Sequence, residues 1–265
     1  MGAVAVFVGE GRSRTLRNAT ELLWAMTARD LRLRYQESIF GWGWTLVRPL
    51  ALGVVLYFAL GKVLGASIHD YPVFLLTGLF PWFWFQSAVQ MSAGSFVGNG
   101  GLLKKVRFPR AVLPLSVVLG ATLQFLLSLP VLIGFVLVSG YAPDAHWLFL
   151  PGVMLLQFAL TAGVSLFVAS LTVVFRDLEH LVEVLLTFLF YGTPILFSVD
   201  LVPESYRWIT VANPLAPLME SWRDTLLYER WPHPSLLVTV AAAVAALLLG
   251  WTTFRKLEDD FADLV

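Results

Sequence analysis

The sequence predicts an all-α polytopic membrane protein: six transmembrane helices in a single domain over 1–265, preceded by an amphipathic helix at the membrane interface. Three observations carry that expectation. Of 265 residues, 58% are hydrophobic and only 14% charged, with a mean hydropathy of +0.75, whereas a soluble domain is about 25% charged. Long stretches lack Asp, Glu, Lys and Arg altogether. The basic residues, finally, collect on one side of those stretches. This composition excludes disorder and an ordinary water-soluble enzyme. A net charge of zero removes the global basic field that nucleic acid would require. The absence of cysteine removes disulfides and thiolate metal sites.

Each element follows in chain order. Over 20–38, Trp24, Ala28, Leu31 and Tyr35 recur at helical spacing, while Arg29, Arg32 and Arg34 project elsewhere. That pattern fits a helix lying in the cytoplasmic interface, with arginines near lipid phosphates, or a plain basic anchor. A hydrocarbon core of about 30 Å needs about 20 mostly apolar residues as a helix. Stretches 39–61, 71–101, 111–143, 145–175, 178–199 and 231–254 each meet that length. They are too long and too uniformly apolar for barrel strands. Between the second and third spans, 99–110 reads Asn-Gly-Gly-Leu-Leu-Lys-Lys-Val-Arg-Phe-Pro-Arg. This short cationic segment keeps Leu102, Leu103, Val106 and Phe108, which suggests a knob docking into lipid or a cytoplasmic partner. Between the fifth and sixth spans, 200–230 contains an apolar run at 209–219 that is broken by Pro214 and Pro217 and too short to cross. It reads as re-entrant or interfacial structure forming an outer vestibule, or as a loop folded on the membrane surface. Thirteen basic residues fall on the side of the termini and four on the other. Both termini are therefore expected in the cytoplasm.

The chemistry legible in the chain is that of passage rather than turnover. Trp42, Trp44, Trp82 and Trp84, together with Phe80, Phe83 and Phe85, sit inside or near spans, as do Phe188, Phe190 and Tyr191. Aromatic faces can stack on the weakly apolar faces of sugar rings, or simply pack helices together. Arg48 and Glu183 lie within spans, where a charge costs about 2.5–3.5 kcal/mol on insertion scales. Arg48 either snorkels to the interface or contacts an anionic substrate in a hydrated cavity. No phosphate-cradling G-x-x-x-x-G-K-[ST], no H-E-x-x-H and no G-x-S-x-G occurs. No metal site is expected from His69, His146, His180 and His233, which are far apart in the expected topology.

Several motifs in order carry a resemblance. They are Asp30-Leu31-Arg32-Leu33-Arg34-Tyr35, Gly41-Trp42-Gly43-Trp44, Gly78-Leu79-Phe80-Pro81-Trp82-Phe83-Trp84-Phe85 and Leu103-Lys104-Lys105-Val106-Arg107-Phe108-Pro109-Arg110. Phe175-Arg176-Asp177, Thr193-Pro194-Ile195, Asn213-Pro214-Leu215 and Lys256-Leu257-Glu258 follow. The whole chain resembles the permease subunit of type-2 ABC exporters, in the polysaccharide, O-antigen and teichoic-acid branch. The resemblance implies a homodimer in the bacterial inner membrane, paired with two copies of a separate ATPase subunit that binds the ATP and magnesium. This chain would hold no cofactor of its own and no catalytic residue. Trp24, Arg29, Arg32, Arg34 and Tyr35 would belong to the interface helix. Leu103, Lys104, Lys105, Arg107, Phe108 and Arg110 would form the segment that couples to the ATPase. Outer re-entrant helices at 200–230 would cap an aromatic channel for a lipid-linked glycan. Arg48 departs from the usual Asn or aromatic before Pro49. The rival expectations are a type-2 permease for a small hydrophobic drug or haem, and an ion-coupled secondary transporter, although no inverted repeat is evident.

Overall fold

A computed structural model describes residues 19–34, 36, 38, 40–63, 68–105 and 108–261. The expected roles of Tyr35 and Arg107 lie outside these residues, as do the side chains of Trp42 and Lys105. The described residues form helices and connecting loops, with no strand among them. The order is α1 (19–34), α2 (Trp44–Leu56), α3 (Tyr71–Ala93), α4 (Gly100–Lys105) and α5 (Val112–Val138), then α6 (Leu150–Val174), α7 (Leu178–Gly192), α8 (Arg207–Ala212), α9 (Leu215–Leu226) and α10 (Leu236–Leu257). Helix α2 continues as a π-helical turn, Tyr57–Val63.

Helix α3 is the mast of the bundle. Most of its side chains are buried against α2, α5, α6, α7 and α9. It starts after Asp70, whose φ of 47° turns the chain sharply, with Pro72 in its first turn. The Tyr141 hydroxyl donates to Asp70 Oδ2 at 3.0 Å and joins two connecting loops. Burial and that carboxylate push the Tyr141 phenol up to about 12. Helices α6 and α10 cross at their backbones: a Cβ on Gly163 would lie 2.5 Å from the Ala246 carbonyl carbon, and one on Gly250 would lie 2.5 Å from Gly163 O. Small residues permit this approach where no water drives helices together. A second apolar cluster closes the other end of the bundle, where Phe96 packs on Phe254 and Phe261 with ring centroids 6.3 and 4.5 Å away.

Among the described residues five helices are long and apolar enough to cross a membrane, against the six expected. The fifth expected span, 178–199, is helical only over Leu178–Gly192. Pro194 explains the stop, because it forces Thr193 out of the helical region, to φ −99° and ψ 140°. The 200–230 stretch is helical in two short pieces, α8 and α9, joined at Asn213-Pro214. Helix α9 is buried against α3, α6 and α10. Three apolar side chains of 99–110 turn inward. Leu103 is buried in the second cluster, and Leu102 and Phe108 pack against it. The expected docking knob is thus anchored on the protein's own core, with Lys104 left exposed.

Candidate functional site: an aromatic cavity between α1, α2, α3 and α5

Helix α1 docks on α5 through Thr27 and Leu31. Thr27 Oγ1 donates to Ser116 O at 3.3 Å. A Cβ on Gly120 would lie 3.7 Å from Leu31. Trp24 and Ala28, expected on the same stripe as Leu31, face outward instead. This docking brings the end of α1 over α3 and α5. Arg34 donates to Gln124 Oε1 at 3.0 Å, and its other terminal nitrogen lies 2.7 Å from Met91 Sδ. Arg29 bonds Asp30 at 2.8 Å and Asn99 at 2.9 Å, which ties α1 to the turn before α4. Arg32 is exposed.

Beside Arg34 lies an open cavity of about 840 Å³. Its wall from α2 carries Trp44 and Arg48; Phe83, Gln86, Ser87 and Gln90 come from α3, and Gln124 and Phe125 from α5. Glu183 of α7 reaches the same space. The Arg48 guanidinium sits over the Phe83 ring, 4.9 Å from its centroid. Trp84 stacks on Phe125 at 4.6 Å and donates to Thr122 Oγ1 at 3.1 Å. Behind that stack, Trp222 of α9 meets Phe125 edge-on at 5.4 Å and donates to Gln157 Oε1 at 2.8 Å. Gln157 in turn donates to Pro81 O at 2.7 Å. Packed rings and paired amides therefore connect the cavity wall with α9.

The expected aromatic set is divided by the fold. Trp44, 51% exposed, and the buried Trp84 line the cavity. Trp82, Phe85 and Phe190 pack together away from it, with Trp82 5.9 Å from Phe85 and 5.5 Å from Phe190. Phe188, 72% exposed, and Tyr191 lie on the outer face of α7. Arg110 stands at the turn before α5, partly buried. Phe80 and Phe83, expected in the same aromatic cluster, do line the cavity, whereas sequence reasoning missed Gln90, Gln124 and Phe125. One signal was available: Gln86, Ser87 and Gln90 follow at i, i+1 and i+4, a polar stripe inside an apolar span. Among the described residues no cluster of His, Asp and Glu could hold a metal.

Over residues 21–227 the sequence matches the ABC-2 type transporter family. It is 37% identical over 246 residues to an O-antigen export system permease protein RfbA of Klebsiella pneumoniae, covering 92% of this chain and 95% of that protein. A protein of the same description from Myxococcus xanthus is 34% identical over 247 residues, with the same coverage. The polysialic acid transport protein KpsM of Escherichia coli is 28% identical over 210 residues, 77% of this chain and 80% of that one.

Proposed function

The chain belongs to the ABC-2 type transporter family, and on that premise we propose that it is the membrane subunit of an ATP-driven exporter of a lipid-linked polysaccharide. The observation that carries this reading is the likeness, over nine-tenths of the chain, to permeases named for O-antigen export. An open cavity walled by Trp44, Phe83 and Trp84 supports it, because aromatic faces let a sugar chain slide without a deep trap.

In this reading two copies of the chain enclose the passage and two copies of a separate ATPase subunit drive it, binding the ATP and magnesium. The chain contributes no cofactor and no catalytic residue. Helix α7, about 22 Å long at 1.5 Å per residue, completes a sixth crossing together with the non-helical residues that follow it. Helices α8 and α9 then dip in from the outer side as re-entrant elements. Thirteen basic residues against four support an orientation with both termini in the cytoplasm of a bacterial inner membrane. Residues 99–110, with Leu103, Lys104, Lys105, Arg107, Phe108 and Arg110, transmit the motion of the ATPase. Arg29 and Arg32 of α1, both exposed, lie near lipid head groups.

The test is reconstitution of the chain with its ATPase subunit in liposomes loaded with lipid-linked glycan. Glycan should cross only when both subunits and ATP are present. Movement by the chain alone with ATP, or transport of a hydrophobic drug or haem but no glycan, would overturn the reading.

A further inference from the structure

Only four residues of α10 are buried: Thr239, Ala243, Gly250 and Phe254. They fall at i, i+4, i+11 and i+15, which makes a single seam on the helix. Each end of that seam holds a different element. We propose that α10, backed by α6, is a strut that sets the position of the outer helix α9 from that of the cationic segment 99–110. This rests on the exporter reading and names the route by which that segment acts across the chain. At the inner end Phe254 packs with Phe96 and Phe261, and Leu103 of α4 is buried in the same cluster. Leu166, Ala169 and Val173 of α6 join it, so both helices grip the segment at one place. In the middle, α10 crosses α6 with no room for a methyl group at Gly163 or Gly250. Packing that close makes the pair move together. At the outer end the buried Thr239 hydroxyl donates to Pro214 O at 2.7 Å, at the entry to α9. Thr161, Thr172 and Thr252 spend that hydroxyl on a carbonyl of their own helix. Thr239 gives it to another. Helix α6 adds a second outer link, where Gln157 Oε1 accepts from Trp222 of α9 at 2.8 Å. From Thr239 to Phe254 the helix rises about 22 Å at 1.5 Å per residue. The chain itself also joins the segment to α3, but through 94–101, where four glycines leave few side chains to carry a load.

The sequence contains no cysteine, so Tyr228→Cys, at the exposed exit of α9, gives the chain a single thiol. The full chain carrying it is assembled with the ATPase subunit in nanodiscs. The rate at which a maleimide labels the chain is compared without nucleotide and with a non-hydrolysable ATP analogue. In this parent chain the rate should change with nucleotide. Thr239→Val removes the hydroxyl and keeps the volume, and it should lose that change; Thr239→Ser should keep it. Phe261→Ala, at the other end of the strut, should lose it as well. Co-purification of the ATPase subunit is scored for every variant, because a merely structural role would lower assembly and leave the response of the assembled complexes intact. Should Phe261→Ala fail to assemble, Thr239→Val carries the test. A rate indifferent to nucleotide in the parent chain overturns the strut. So does a response retained by Thr239→Val or by assembled Phe261→Ala, or a Thr239→Ser variant that behaves like Thr239→Val. Glycan export by the parent complex is measured in parallel. Export without the expected labelling pattern removes the strut alone; the pattern without export removes the exporter alone.

Discussion

Arg223 is 2% exposed on α9, and its guanidinium is spent on backbone. It donates to Pro194 O at 2.6 Å and Ile195 O at 2.8 Å, and its plane lies 3.6 Å from the centroid of the Phe74 ring. One side chain thereby fastens the outer helix to the end of α7 and to α3. Arg223→Met keeps most of the volume but leaves two carbonyls without donors. It should lower stability by about 2–3 kcal/mol, read as a lower midpoint of thermal unfolding in detergent. An unchanged midpoint would mean those carbonyls find other donors. None of this was legible in the chain, where Arg223 reads as one more solvated charge on the outer side. Its partners are main-chain oxygens 28 and 29 positions away, and main-chain acceptors leave no trace in side-chain pattern. Gln157 escaped notice for the same reason, its acceptor being Pro81 O on another helix.

Single helices were far more legible, because span length and apolarity are local properties. The expected second, third and fourth spans contain α3, α5 and α6. The fifth was extended too far, because apolar residues after Gly192 outweighed the restriction that Pro194 puts on Thr193. Pairing between helices was less legible, and the crossing of α6 with α10 shows why. Gly163 and Gly250 are 87 residues apart, and neither is marked in its own span as a contact point. Gly163→Ala puts a methyl 2.5 Å from backbone atoms of Ala246 and Leu247, which cannot swing aside. The helices must separate, at a cost of about 1–3 kcal/mol in the same thermal assay. Gly134→Ala in α5 meets nothing within 4 Å, so it should be neutral or slightly stabilising. Equal effects for the two substitutions would contradict the close crossing.

For the molecule as a whole, class, membrane habit and family were legible from composition and ordered motifs, but the cavity was not. It needs Arg34, Arg48, Gln90, Gln124 and Glu183 from five helices, and only folding brings them to one place. The segment 99–110 was half legible. Its cations were read for a partner, yet its leucines and Phe108 belong to the cluster with Phe254 and Phe261. Replacing Lys104, Lys105 and Arg107 together by Ala should therefore spare the fold and weaken co-purification of the ATPase subunit about tenfold. Wild-type recovery of both subunits would sink the docking role. Helix α2 has a further bearing. Only 11% of its apolar window is buried within the chain, although it walls the cavity. So little of that wall is backed by its own chain that the shape of the chamber depends on whatever packs against α2 from outside.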